Sequence, residues 1–293
     1  MDYFSSAGFD TNEKTISTIF FGITLRKKLK EKYGSVAMVA GASEGLGAAY
    51  AHALAREGFD LVLIARRSEQ LQMSATEIQE KYGVKVSPIS CDLSEPNSLQ
   101  RIVNSIGSTE IDFLVYNAAQ PFIGPFLNQE PGGYLKMTTT NIITPLELVH
   151  YFGGEMITRG RGGIVIMTSL AAFQGSPFIS TYSAAKAFTL TLAEGLWFEW
   201  KNKGVDIIGC CAGATATPNY IRSNPAPSGW LRPRVQTPDE VVAECLQKIG
   251  KTPSLITGWG NRIASFFMRK IFSRKLAVAI MGITTKKMYR VDY

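Results

Sequence analysis

The sequence contains few of the residues that build metal sites and disulfide frameworks. Its 293 residues include four cysteines and two histidines, with no CxxC pair and no zinc-type spacing of histidines. The apolar run at 16–25 is too short to span a bilayer, which takes roughly 20 residues. Acids precede this run and a basic cluster follows it, the reverse of a secretory signal. The sequence therefore predicts a reduced, cytoplasmic protein without a metal centre.

Charge is sparse, and the basic excess lies at one end. The chain has a formal net charge of +7, yet residues 251–293 hold nine lysines and arginines against one acid, a local charge of +8. The residues before them are close to neutral. A basic tail on a neutral body argues against a protein built around nucleic acid. It indicates contact with a single anionic surface instead.

Short β-branched runs alternate with longer stretches of helical period, which is typical of a parallel sheet with helical crossovers. The predicted strands are 36–40, 61–65, 84–90, 111–116, 163–168, 205–211 and 254–257. The predicted helices are 46–57, 68–82, 97–106, 133–159, 181–201 and 238–249. We therefore expect an α/β protein with a doubly wound Rossmann fold, whose seven-stranded, mostly parallel sheet is flanked by helices on both faces.

The pattern divides the chain into a central domain and two extensions. We expect an N-terminal amphipathic extension at 1–33, the Rossmann-fold domain at 34–258 and a basic amphipathic extension at 259–293. Within the domain, five prolines and a glycine between 216 and 238 exclude a long regular element. Because this segment follows a predicted strand, we interpret it as a lid.

A glycine-rich turn joins the first predicted strand to the first helix. It reads Gly41-Ala-Ser43-Glu-Gly45-Leu46-Gly47. Glycines allow the backbone to turn tightly and to approach a pyrophosphate, and the helix that follows offers unpaired N–H groups and the positive end of its dipole. The turn therefore predicts a dinucleotide site.

A tyrosine and a lysine lie one helical turn apart in the segment Tyr182-Ser-Ala-Ala-Lys186, on one face of the helix. A free phenol titrates near pH ~10, and a neighbouring cation favours its phenolate form. Ser169 ends the fifth predicted strand, and Asn141 lies within the preceding helical stretch. This set predicts proton-transfer chemistry at the phenol.

Taken in order, these motifs resemble the short-chain dehydrogenase/reductase family from about residue 34 to 258. The resemblance implies NAD(P)-dependent interconversion of a carbonyl and a secondary alcohol by hydride transfer, without a metal. It implies that Tyr182 is the general acid or base and that Ser169 polarises the carbonyl. Lys186 would hold the nicotinamide ribose and tune Tyr182, and Asn141 would complete a proton relay.

The family's cofactor contacts fall on further residues of this chain: Gly41, Ser43, Gly45, Leu46, Gly47, Arg66, Asp92, Leu93, Asn117, Ala118, Ala119, Tyr182, Lys186, Gly213, Thr215 and Thr217. Ala119 replaces the family's glycine, and Ala212, before Gly213, replaces a proline. Arg66 favours NADP(H), because a guanidinium suits a 2′-phosphate. Glu44 stands where some NADP(H) users place a basic residue, so NAD(H) stays open.

The substrate is constrained only by apolar and aromatic residues flanking the expected site, at 121–126 and at Tyr220, Ile221 and Trp230. They favour a hydrophobic carbonyl compound, such as a steroid, a 3-keto sphingoid base or a 3-oxoacyl chain. The alternatives are an NAD(H)-dependent dehydrogenase of a small polar alcohol and a catalytically idle scaffold that binds a membrane or a protein partner.

The sequence also suggests what the terminal extensions contact and how subunits associate. The extension 259–293 suits a peripheral membrane surface or an anionic carrier, and equally a packed helix or a subunit contact. Residues 16–32 repeat its arrangement of apolar residues followed by basic ones. The family resemblance implies a homodimer or homotetramer built on the long helices after the fourth and fifth strands.

Overall fold

The computed structural model describes residues 28–226 and 234–291. Most of the N-terminal extension, Trp230 of the lid segment and the last two residues lie outside these ranges.

A single sheet of seven strands organises the molecule. The strands are β1 Val36–Ala40, β2 Asp60–Ala65, β3 Val86–Ser90, β4 Phe113–Tyr116, β5 Gly162–Ser169, β6 Val205–Ala212 and β7 Ser254–Ile256. They lie in the order β3-β2-β1-β4-β5-β6-β7, and every pairing is parallel. The doubly wound fold is confirmed, and the sheet is wholly rather than mostly parallel.

Helices cover both faces of this sheet. They are α1 Lys28–Tyr33, α2 Gly45–Arg56, α3 Ser68–Tyr82, α4 Ser98–Ile106, α5 Pro131–Thr138, α6 Thr144–Arg159, α7 Ser180–Trp200, α8 Pro218–Arg222, α9 Pro238–Lys248, α10 Trp259–Phe266 and α11 Arg274–Tyr289. One core cluster packs α2, α3 and α9 on the sheet, and the other packs α4, α6 and α7. In β1, Val39 faces the first cluster and Met38 the second, because successive strand residues point to opposite faces.

The stretch predicted as one helix over 133–159 is divided. It comprises α5, the π-helical turn Thr139–Ile143 and α6, which has Pro145 in its first turn. The apolar residues keep one helical period throughout, so their spacing carries no mark of the wider turn. This turn places Asn141 in the site described below.

The end of the predicted N-terminal extension packs on the domain. Tyr33 is buried, its ring is 5.3 Å from that of Phe113, and its hydroxyl donates a hydrogen bond to Asp206 over 2.8 Å. Lys32 pairs with the same carboxylate. Helix α1 is thereby joined to the strands of the sheet.

The C-terminal extension is helical and rests partly on the domain. It contains α10, the π-helical turn Phe267–Ile271 and α11. Ala277 is buried, whereas Trp259, Ile263 and Phe266 are exposed. Across the two ranges that the structure describes, none of the helices combines the length and the apolar character needed to cross a membrane.

Candidate active site

The predicted site residues converge at the carboxyl ends of the parallel strands. The glycine turn follows β1, Arg66 follows β2, Asp92 follows β3, Asn117 follows β4 and Ser169 ends β5. Ala212 is the register partner of Ser169 across β5 and β6, so the segment from Gly213 to Thr217 starts beside Ser169. In open α/β sheets this edge is where ligands bind.

The glycine turn is shaped for a close backbone approach. Gly41 has φ +86°, and a Cβ there would lie 2.7 Å from the backbone nitrogen of Ala118. A Cβ on Gly47 would lie 1.9 Å from the carbonyl oxygen of Gly41. Asn117 Nδ2 donates to that same oxygen over 3.0 Å. No side chain in the described residues caps the first turn of α2, so its N–H groups face this edge. The residues present therefore fit a dinucleotide pyrophosphate.

The corner after β2 combines arginines with carboxylates. Arg66 and Arg67 are exposed, and Arg67 lies 2.9 Å from Glu44. Asp92 Oδ1 accepts hydrogen bonds from the backbone N–H and the hydroxyl of Ser94, each over 2.9 Å. Burial opposes ionisation of Asp92, but these bonds and nearby Arg66 hold the pKa of its carboxyl below the usual value. The carbonyl of Leu93 accepts from the hydroxyl of Thr144 over 2.8 Å.

Three of the four predicted catalytic residues meet where β5 faces α7. The Ser169 hydroxyl lies beside the Tyr182 phenol and lowers its pKa, and Ser169 Oγ accepts a hydrogen bond from the backbone N–H of Ala171 over 3.2 Å. Lys186 is buried, its Nζ donates to the carbonyl of Met167 over 2.8 Å, and it lies 5.6 Å from the centre of the Tyr182 ring. A hydroxyl, a phenol and an ammonium are thereby grouped in one place.

Burial moves both titrating groups away from their ordinary pKa values. Burial raises the pKa of Tyr182 to about 12; the Ser169 hydroxyl lowers this pKa, and the neighbouring phenol of Tyr289 raises it. Burial lowers the pKa of Lys186 to about 8. The desolvated site thus favours a protonated phenol and weakens the charge on the ammonium.

Asn141 is placed by the π-helical turn against the end of β4. Its Nδ2 donates to the carbonyl of Gln120 and its Oδ1 accepts from the Gln120 N–H, both over 2.9 Å. It is buried. The amide therefore binds both backbone groups of Gln120 and fixes the segment that follows Ala119.

The segment after β6 is held from two sides. Thr215 donates to the Gly213 carbonyl over 3.1 Å, and Thr217 Oγ1 accepts from the N–H of Tyr220 and so caps α8. This leaves the hydroxyl hydrogen of Thr217 available to a further acceptor. A Cβ on Gly213 would lie 2.5 Å from Nδ2 of Asn261 in α10.

An aromatic group flanks the start of the catalytic helix. Phe126 stacks on Tyr134 at 4.9 Å between ring centres, and Phe122 meets Tyr134 edge-on at 6.0 Å. With Phe178 and Thr181 these residues line a narrow cleft of ≈ 10 Å³, about the size of one water molecule. Phe178 has φ +66°, a strained conformation for a residue with a Cβ, beside the site.

The last helix, α11, forms a wall next to this site. The backbone N–H of Ala226, in the lid segment, donates to the carbonyl of Met288 over 2.8 Å. Arg274 donates to the Phe173 carbonyl over 2.7 Å, and Gly282 packs on Pro177. Tyr289, near the helix end, is the phenol that acts on Tyr182. The extension therefore packs on the lid segment and on the loop that precedes the catalytic helix.

Sequence reasoning missed several residues of this arrangement, among them Gln120, Arg222, Asn261 and Tyr289. Each meets a partner at least twenty residues away in the chain, and none belongs to a motif. The four cysteines are all buried free thiols.

The family model described as short chain dehydrogenase matches residues 35–227. The chain belongs to the short-chain dehydrogenase/reductase family. It is an NAD(P)-dependent oxidoreductase with a Rossmann fold, as the motifs predicted.

Curated family members include a 7beta-hydroxysteroid dehydrogenase from Clostridium sardiniense, 31% identical over 80% of this chain and 89% of that protein. The very-long-chain 3-oxoacyl-CoA reductase-B of Danio rerio is 29% identical over 87% of this chain and 83% of that protein.

Solved structures agree with this assignment. A 7beta-hydroxysteroid dehydrogenase superimposes with a TM-score of 0.82 at 29% identity, over 86% of this chain and 98% of that one. A short-chain dehydrogenase from Sphingobium yanoikuyae in complex with NADPH does so with a TM-score of 0.68 at 30% identity, over 76% and 87%.

Proposed function

We propose that this short-chain dehydrogenase is an NADP(H)-dependent ketoreductase or alcohol dehydrogenase that interconverts a hydrophobic ketone and its secondary alcohol. The observation that carries the proposal is the grouping of Ser169 and Tyr182 with Lys186, which is buried 5.6 Å from the centre of the phenol ring. A scaffold kept only for binding has no use for a half-buried phenol beside a buried ammonium, both with displaced pKa values.

Tyr182 and Ser169 act together on the carbonyl. The bound nicotinamide cofactor supplies or accepts the hydride. Ser169 donates a hydrogen bond to the carbonyl oxygen and withdraws electron density from it. Tyr182 gives its phenolic proton to the same oxygen as the alcohol forms, and its raised pKa keeps that proton in place at neutral pH. In the reverse direction Tyr182 takes the proton back.

Lys186 and Asn141 support the proton transfer. The positive charge of Lys186 stabilises the phenolate that Tyr182 becomes, and its ammonium holds the nicotinamide ribose. We expect Asn141 to complete the proton relay, as the family resemblance implies, and its amide fixes the Gln120 backbone next to the site.

The cofactor would be held by residues that follow five strands, β1, β2, β3, β4 and β6. Gly41, Ser43, Gly45, Leu46 and Gly47 bind the pyrophosphate, Arg66 the 2′-phosphate, Asp92 and Leu93 the adenine, and Thr215 and Thr217 the nicotinamide carboxamide. The Asn117-Ala118-Ala119 turn gives the adenosine ribose room, and Gly213 permits the approach behind β6. The guanidinium of Arg66 favours NADP(H) over NAD(H).

A hydrophobic substrate is supported by the aromatic residues Phe122, Phe126 and Tyr134 near the start of α7 and by the steroid and acyl-CoA substrates named for the relatives. The test is oxidation of NADPH, followed by its absorbance, with a panel of hydroxysteroid ketones and 3-oxoacyl thioesters, and a matched panel of sugar ketones. Turnover of a steroid or acyl ketone at micromolar KM supports the proposal. Turnover of sugars alone, or with NADH alone, would favour the polar-alcohol alternative.

We also propose that the protein is a homodimer or homotetramer through α6 and α7. Ala184, Ala187, Phe188, Leu192 and Leu196 form a mostly apolar groove along α7. Phe188→Glu should lower the mass measured by light scattering; an unchanged oligomer, or a monomeric parent protein, would contradict this.

A further proposal concerns the basic extension, which we infer to rest on an anionic membrane surface. Its helices expose Trp259, Phe266 and Ile271 among basic side chains such as Arg269 and Lys270. Sedimentation with phosphatidylserine vesicles, against neutral vesicles, tests this. Equal recovery in the two supernatants would refute it.

A further inference from the structure

Glu44 occupies a position where its charge opposes the proposed cofactor. It lies in the glycine turn directly before Gly45, on an extended backbone that places it at the corner next to Arg67. A carboxylate at this corner repels a 2′-phosphate, which carries about −1.5 to −2 charges. NADP(H) selection therefore requires that this carboxylate be neutralised.

Two arginines from different elements share the Glu44 carboxylate. Arg67, at the start of α3, places Nη2 2.9 Å from Oε2. Arg222, the last residue of the lid helix α8, donates from Nη1 to Oε2 over 3.2 Å and from Nη2 to Oε1. The second contact is the parallel, two-pronged pairing that a guanidinium makes with a carboxylate. The Arg222 bond is also the largest influence holding the pKa of Glu44 below its usual value.

The charges in direct contact show what Arg222 adds. The charges of Glu44 and Arg67 cancel, so without Arg222 this pair carries no net charge. With Arg222 it carries one positive charge beside Arg66. Arg67 also reaches Ser43 Oγ over 3.4 Å, so its guanidinium stays on the glycine turn. The net charge next to Arg66 therefore depends on Arg222, a residue of the lid segment.

We propose that Arg222 is a cofactor-specificity residue that acts through Glu44. By binding the carboxylate in a two-pronged pair, it keeps the charge of Glu44 from opposing the 2′-phosphate of NADP(H). Arg222 is a positioning residue and not itself a phosphate ligand. The inference rests on the proposed NADP(H) preference and identifies how a chain with an acid in its glycine turn achieves it.

The test measures binding of the adenosine end alone, so that catalysis does not enter. Calorimetric titration compares adenosine 2′,5′-bisphosphate with adenosine 5′-monophosphate, and fluorescence titration repeats the comparison with NADPH and NADH. The variants are Arg222→Gln, Arg222→Lys, Glu44→Gln and the double variant with Arg222→Gln and Glu44→Gln. Arg161→Gln is the matched control, since Arg161 is a half-exposed arginine paired with Asp112 at the opposite edge of the sheet.

Arg222→Gln should weaken the 2′,5′-bisphosphate by about fivefold to tenfold and change the monophosphate by less than about twofold, as expected for one uncovered charge near a phosphate. Adding Glu44→Gln to the Arg222→Gln variant should restore the lost affinity, because the carboxylate that repels the 2′-phosphate is then absent. Arg222→Lys should fall between the parent and Arg222→Gln, since it keeps the charge and loses the two-pronged geometry. Arg161→Gln should match the parent.

Each other outcome overturns the proposal in a different way. A selective loss that Glu44→Gln does not restore would make Arg222 a direct phosphate ligand. If Arg222→Gln lost equal affinity for both nucleotides, the contact with Glu44 would only hold the lid segment in place. If it lost no affinity, the contact would be an ordinary surface ion pair. If the parent protein showed no preference for the 2′-phosphate, the proposed NADP(H) preference itself would be wrong. This result distinguishes failure of the proposed cofactor from failure of the proposed role of Arg222.

Discussion

At the scale of single residues, the opposite pKa shifts of Tyr182 and Lys186 have one cause. Burial disfavours the charged form of each, so the phenol keeps its proton and the ammonium holds its proton less firmly. Ketone reduction needs a phenol that still carries a proton, and alcohol oxidation needs a phenolate. The protein without its cofactor is therefore set for reduction.

Replacing the phenol tests this role directly. Tyr182→Phe should lower kcat by at least about 10²-fold, the usual effect of losing a general acid. NADPH affinity should stay within about twofold, because the ring and the helix remain. Stopped-flow absorbance gives the first quantity and fluorescence titration the second. Tyr82→Phe, at the end of α3 and away from the site, is the control; retained turnover in Tyr182→Phe would contradict the mechanism.

The pH profile should report Lys186. Its amine is protonated below a pKa of about 8 and neutral above it. For ketone reduction we expect kcat/KM to be constant from about pH 6 to 7 and to fall as the pH rises through about 8, because the charge that stabilises the Tyr182 phenolate is lost. The pKa of Tyr182 is raised to about 12, so the Tyr182 phenol does not cause the fall in kcat/KM near pH 8. A flat profile up to about pH 10 would contradict the assignment.

The sequence predicted Ser169, Tyr182 and Lys186 because two of them share one helix face and all three follow a recognisable order. It could not predict Tyr289 beside Tyr182, or Arg222 on Glu44. Those pairs are 107 and 178 positions apart in the chain. Such contacts depend on how the lid and α11 fold back, which no local pattern encodes.

At the scale of elements, the π-helical turn Thr139–Ile143 is the feature that connects structure to site. Periodicity predicted a helix through it, and the helix does run on both sides. The two hydrogen bonds between the Asn141 amide and the backbone of Gln120 stabilise the extra residue of this turn. Bulges of this kind often occur at functional sites.

Removing the Asn141 amide should destabilise this junction. Asn141→Ala leaves the N–H and carbonyl of Gln120 without their partner, a loss of about 1 kcal/mol or more in the free energy of unfolding. For a chain of this size the melting temperature should fall by roughly 2–4 °C. Thermal unfolding followed by circular dichroism measures it. Thr139→Ala is the control, because its hydroxyl bonds only to Leu135 within its own helical segment; an equal shift in both variants would contradict a special role for Asn141.

At the scale of the whole molecule, the C-terminal extension proves to be part of the active-site wall as well as a basic surface. α11 contacts the lid at Ala226 and the loop at Phe173 and Pro177, and Tyr289 lies near enough to Tyr182 to raise the pKa of its phenol. The sequence predicted an amphipathic segment but not which surface it would cover, because helical period is the same for a protein core, a subunit contact and a membrane.

A wedge between α11 and the domain tests whether this wall shapes the substrate pocket. A Cβ on Gly282 would already lie 3.1 Å from Cγ of Pro177, so Gly282→Val should push α11 away from the loop. We expect KM for a hydrophobic ketone to rise by about fivefold or more, a loss of about 1 kcal/mol of binding, while the Kd for NADPH is unchanged. Gly260→Val in α10 is the control, since a Cβ there meets open space. An unchanged KM in Gly282→Val would mean that α11 covers the domain without bounding the pocket, and a weakened Kd for NADPH would mean that the helix acts on the cofactor side through the lid.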